Sequence, residues 1–152
     1  MMSARPSTLP LSILLAKAHP LVRRGLGQLI TDALHPCRIR EAESTKSLLD
    51  AIHESVPDLL ILDISLPGPG GLEVLKSVRR LLALGTPVIV LSSHLEPEFA
   101  LCTLAAGAQA VVLTEHSDDE LLQAIEATRR GEVYVSPALL TTRSTLAVLS
   151  PS

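Results

Sequence analysis

The residues with the clearest chemical potential in this 152-residue chain stand at the ends of short apolar runs. Asp63 closes the run at 59–62, a costly place for a carboxylate unless the charge is used or paired. Lys17, followed by Ala18 and His19, ends the run at 13–16. Ser92, Ser93 and His94 follow residues 88–91, and Thr114, Glu115 and His116 follow residues 110–113. A carboxylate in such a position can serve as a nucleophile or can accept a neighbouring cation. Lys17 is the obvious cation. At about 4 Å and an effective dielectric near 20 the pair gains roughly 4 kcal/mol of Coulomb energy before desolvation. Pairing is therefore expected over a lysine that snorkels to solvent. His19, His94 and His116 could share a transition metal, but separate local roles are the expected reading.

Chemistry at those positions requires that the runs be neighbouring strands. Five runs recur, at 13–16, more weakly at 38–42, and at 59–64, 88–91 and 110–113, and four of them are continuous rather than alternating. Continuous runs fit parallel strands covered on both faces. The segments between them carry the 3.6-residue period. Val22, Leu26, Leu29 and Ile30 share a face, as do Leu48, Leu49, Ile52 and Val56, then Leu72, Leu75, Val78 and Leu82, then Leu121, Leu122, Ile125 and Thr128. Ser117 and Glu120 fit a capping box with Asp118 and Asp119 at the positive end of the dipole. Gly85, Gly107 and Gly131 suit helix C-termini, and Pro97 suits a first turn. The fourth helix, 96–106, spreads Phe99, Leu101, Cys102 and Leu104 around its cylinder, so it is either buried or presents an apolar patch.

These units predict an α/β fold: a five-stranded parallel doubly wound sheet with right-handed crossovers and helices on both faces. With the order 2-1-3-4-5 the crevice lies between the first and third strands, where Lys17 and Ala18 face Asp63. Residues 1–11 read as a disordered extension, 12–132 as the domain, and 133–152 as a Ser/Thr/Pro-rich linker or tail, with a weaker reading of one more helical turn over 138–149.

Composition narrows the class. Hydrophobic residues make up 47% of the chain, yet Phe99 and Tyr134 are its only aromatics, so Leu, Ile, Val and Ala must build the core. The net charge of −3 leaves no electrostatic footprint for nucleic acid or an anionic membrane. The pairs Arg23-Arg24, Arg79-Arg80 and Arg129-Arg130 read as solvated helix faces. Cys37 and Cys102 fit no metal or redox spacing and point to a reducing cytosol. Residues 1–12 lack a secretory signal, and no run approaches the roughly 20 residues of a membrane helix. The expectation is a cytoplasmic domain without bound cofactor.

The motifs LLAKAHPLVRRGL, PDLLILDISLPGPGGLEVL and PVIVLSSHLEPEFALCTLAAGAQAVVLTEHSDDELLQAI then resemble the receiver domain of two-component response regulators, of the LuxR-type branch. The resemblance runs from about residue 12 to 137 with motifs in order. It implies that Asp63 stands at the phosphoacceptor position and Ser92 at the switch hydroxyl. Lys17 and Ala18 replace the acidic pair that binds magnesium, Thr114 replaces a phosphate-contacting lysine, and Val111 replaces an aromatic switch residue. Mg²⁺ needs hard oxygen ligands, so its binding is expected to be weak or lost, and metal-dependent phosphotransfer with it. The resemblance further implies a histidine kinase upstream and partner or homodimer contacts through the fourth helix, fifth strand and fifth helix (96–130), with Phe99 and Leu101 on that face. Leu149-Ser150-Pro151-Ser152 could open a helix-turn-helix domain, which would make this chain the regulatory half of a transcription regulator. The alternatives are a receiver still regulated by phosphorylation of Asp63 and, remotely, an aspartate-nucleophile phosphatase, which would want an acid where Ser65 stands. No catalytic activity is expected.

Overall fold

Runs of β-branched and leucine residues with nothing polar to expose can form strands only where both faces are covered. In the computed structural model, which describes residues 10–140, they form one parallel sheet in the order β2-β1-β3-β4-β5-β6. The strands are β1 (Leu11–Ala16), β2 (Cys37–Ala42), β3 (Leu59–Asp63), β4 (Val88–Ser92), β5 (Ala110–Leu113) and β6 (Tyr134–Val135). The helices are α1 (Pro20–Ala33), α2 (Thr45–Glu54), α3 (Leu72–Leu81), α4 (Pro97–Ala105) and α5 (Ser117–Arg129). Short 3₁₀ turns occupy Thr114–His116 and Pro137–Leu139.

Alternation along the strands divides the core in two. Ile13, Leu15, Ile61 and Leu91 pack with Leu26 and Ile30 of α1 and Leu121 and Ile125 of α5. Leu14, Leu60, Leu62 and Val90 pack on the other face with Leu48 of α2 and Leu75 and Val78 of α3. A third cluster joins Ala100 of α4 to Val111, Leu113, Val135 and Leu139.

The sheet has six strands, not the expected five. Tyr134 and Val135 pair with Ala110 and Val111, and Leu139 is buried, so residues 133–140 belong to the fold rather than to a tail. Two strand residues are too few to show alternation, which is why the sequence pattern missed them. At the other end β1 starts at Leu11. The rest of the expected extension and tail lies outside the described residues.

Helix ends bring further corrections. Ser117 does not cap α5. It already has helical dihedrals (φ −64°, ψ −32°), whereas an N-cap needs an extended backbone. Its hydroxyl donates to the Thr114 carbonyl at 2.8 Å, because the preceding 3₁₀ turn leads straight into the helix. The capping box is on α2, where Ser44 and Ser47 satisfy each other's N–H groups. Gly107 and Gly131 follow α4 and α5 with φ of 120° and 84°, as C-terminal glycines do. Gly85 instead serves the later turn closed by Thr86 N–H on the Ala83 carbonyl. Val22 and Val56, read as core positions, are exposed; Val56 follows the end of α2.

Ile61 is fully buried at the centre of the sheet. Ile61→Ala is expected to destabilise the domain by about 2–5 kcal/mol, read as a lower urea midpoint at unchanged slope.

Candidate functional site

The two-residue period of the sheet delivers Lys17 to Asp63. Leu15 and Ile61 are partners in the β1–β3 register and share one core cluster. Two residues further on, the side chains of 17 and 63 must point to the same side. The Lys17 N–H still donates to the Ala42 carbonyl at 2.9 Å, so the sheet pairing carries past the end of β1 and fixes the backbone beneath the side chain.

The ammonium of Lys17 donates to Asp63 Oδ2 at 3.0 Å, and both side chains are more than nine-tenths buried. The other carboxylate oxygen, Oδ1, accepts the Ser65 N–H at 3.0 Å and the Ser65 hydroxyl at 2.8 Å. Neither oxygen of Asp63 is left open. Arg23 braces the lysine from behind: its guanidinium donates to the carbonyls of Lys17 (2.8 Å) and Ala18 (3.2 Å) and pairs with Glu41. A charge-assisted, buried pair of this kind holds together because removing either partner strands the other's charge.

The remaining predicted residues have other partners. Ser92 is fully buried, and its hydroxyl accepts the His94 N–H at 3.0 Å. Thr114 is half-buried at the start of the 3₁₀ turn. Val111 is buried on β5 between Val90 and Val135. Phe99 is half-buried and stacks on His94, with ring centroids 4.2 Å apart. Leu101 is half-buried and Cys102 exposed, while α4 buries Ala100 and Thr103. The three histidines go to separate partners: His19 caps α1, His94 meets Phe99 and Glu96, and His116 faces Glu120. Among the described residues no group of three or more His, Cys, Asp or Glu side chains is placed to share a metal ion.

The donor set around Asp63 does not fit Mg²⁺. It offers one carboxylate whose oxygens are both engaged and an ammonium that competes for the same place. Sequence reasoning missed Ser65 as a site residue. Its signal was present, because an Asp side chain commonly bonds backbone two residues on. Arg23 and Glu41 left no signal, since their pairing depends on α1 crossing β2.

The family model for the response regulator receiver domain matches residues 13–126. The chain belongs to that family. Among curated relatives, the nitrate/nitrite response regulator protein NarL of Escherichia coli K12 is 32% identical over 130 residues, which is 86% of this chain and 60% of NarL. The transcriptional activator protein ExaE of Pseudomonas putida is 31% identical over 131 residues, 86% of this chain and 61% of ExaE. The chain thus spans about three-fifths of the length of these relatives. Among solved structures, a LuxR-family two-component response regulator from Aurantimonas sp. SI85-9A1 has a TM-score of 0.78 at 30% identity, covering 92% of this chain and 99% of that one. The non-phosphorylated receiver domain of RcsB from Escherichia coli shares the fold, with a TM-score of 0.73 at 21% identity over 84% of this chain and 98% of its own. The receiver is therefore of LuxR type. No helix among the described residues is long and apolar enough to cross a membrane.

Lys17→Met is expected to lower stability by about 3–5 kcal/mol, because Asp63 is left buried and charged. The double variant Lys17→Met/Asp63→Asn should recover much of that loss. Urea unfolding of the two variants beside wild type measures the coupling.

Proposed function

We propose that this domain is an atypical receiver that signals by protein–protein contact, with its phosphorylation pocket held shut by its own lysine. One observation carries the reading: the Lys17 ammonium lies 3.0 Å from Asp63 Oδ2, where the family places a metal between acidic side chains. Phosphoryl transfer to a carboxylate needs cationic groups that neutralise the moving charge and a free oxygen to attack. In this pocket the cation is covalently part of the chain and already spends its hydrogen bond on the acceptor. The Ser65 contacts occupy the second oxygen. Asp63 is then half of a structural ion pair, magnesium binding is weak or absent, and the domain is not an enzyme.

The names of the relatives extend the reading. NarL is a response regulator and ExaE a transcriptional activator, and this chain spans about three-fifths of each. We read it as the regulatory half of a cytoplasmic transcription regulator. It contacts a protein partner or a second copy through α4, β5 and α5, where Phe99 and Leu101 stand half-exposed. A histidine kinase that docks without transferring phosphate is the partner the family offers.

Amide NMR during titration with magnesium and beryllofluoride tests the pocket. Wild type is expected to show no saturable shifts at Asp63 and Ser92. Lys17→Asp/Ala18→Asp restores the family's acidic pair and is expected to gain magnesium-dependent shifts there. Saturable shifts in wild type would overturn the reading and return Asp63 to the role of working phosphoacceptor.

A further inference from the structure

After α5 the chain turns at Gly131 and crosses back along β5. Tyr134 and Val135 form β6 beside Ala110 and Val111, and Pro137–Leu139 makes one 3₁₀ turn. Val135 and Leu139 are buried against Ala100 of α4 and against Val111 and Leu113 of β5, with Leu104 and Leu140 packed at the margin. The α4–β5 side of the sheet, exposed if β5 were the last strand, is covered by the chain's own continuation.

What holds this segment is unlike the rest of the core. Ser136 is fully buried; its hydroxyl accepts the Leu113 N–H at 2.8 Å and donates to Glu120 Oε1. The Tyr134 hydroxyl donates to the same oxygen at 3.1 Å, and the His116 ring lies 3.2 Å from Oε2. One carboxylate on the first turn of α5 thus gathers two side chains from the returning segment. Leu113 is the last residue of β5, one step before Thr114 at the pocket rim. The attachment is therefore short: two strand pairings, buried Val135, Ser136 and Leu139, Tyr134 packed at the edge of the α1–α5 core cluster, and one carboxylate. Segments held by so few buried contacts open at lower free energy than central strands.

We propose that residues 134–140 are a releasable strap over the α4–β5 face, latched by the Glu120 carboxylate. Seating of the strap closes that face, and release at Glu120 uncovers Val111, Leu113 and Ala100 as an apolar surface. The strap lies on the α4–β5 face to which the proposed function assigns partner contact, but it is separate from the Lys17–Asp63 pair, so its failure and that of the closed pocket are read by different measurements.

The strap carries its own reporter. Tyr134 is the only tyrosine in the chain, so tyrosinate absorbance reads it directly. Its phenol is pushed up to about 12 by burial first and then by the charge and hydrogen bond of Glu120. A raised folded-state pKa means that the seated strap favours the neutral phenol. That contribution is whole below the ordinary tyrosine value of about 10 and is lost as pH rises through about 12. In Ser136→Ala and Leu139→Asp, Tyr134 is expected to ionise near the ordinary ~10. Amides of Ala110–Leu113 and α4 should exchange about tenfold faster or more, while β1 and β3 keep their protection. Glu120→Gln, which removes the charge and keeps an acceptor, should lower the Tyr134 ionisation with a smaller gain in exchange. An unchanged Tyr134 titration with unchanged β5 protection would overturn the proposal. So would protection lost across the whole sheet at once, because the segment would then be an inseparable part of the core.

Discussion

The polar residues at the strand ends of this domain answer to a single constraint: its central strands are covered on both faces. β3 and β4 are buried from end to end, so a polar side chain can be accommodated only where a strand leaves the sheet. That is where Lys17, Asp63, Ser92 and Thr114 stand, and the fold concentrates them without any of them contributing to the core. Charge at this edge still lies close to low-dielectric material, so it must find a partner. In the family pattern the answer is a metal held among acids. Here Lys17 supplies the positive charge from within the chain, and Ser65 completes the coordination of Asp63.

A resident cation differs physically from a bound one. A metal ion arrives and leaves with concentration, so the charge of its pocket is set by the solution. Lys17 is anchored by a sheet-like backbone bond to Ala42 and by Arg23 on its carbonyl, so its position varies little. The positive charge beside Asp63 is then a property of the sequence, and the proposed function follows from that: a signal enters by contact at the domain's surface.

The strand-and-helix plan was legible because aliphatic runs and 3.6-residue periods are strong signals at this length. The Lys17–Asp63 pair was legible too, since strand order and a two-residue period suffice to bring those ends together. Less readable were features fixed by short or distant contacts. β6 has two residues, too few for any period. Ser117 looked like a cap in sequence, but the 3₁₀ turn before it put its backbone into helical geometry, which freed Glu120 to reach Ser136 and Tyr134. The Arg23–Glu41 brace joins α1 to the end of β2, and no local pattern announces it.

The seating of α4 has a consequence of its own. The helix buries only the small side chains Ala100 and Thr103, while Phe99, Leu101 and Leu104 remain half-exposed. Phe99 and Leu104 add partial packing against two core clusters, so the footing of α4 combines small buried side chains with large half-buried ones. A helix seated this way keeps its larger apolar side chains at the boundary between core and solvent, where substitutions change its outer surface while the strands below keep their register. The domain thus has a face whose composition is set largely apart from that of its central strands.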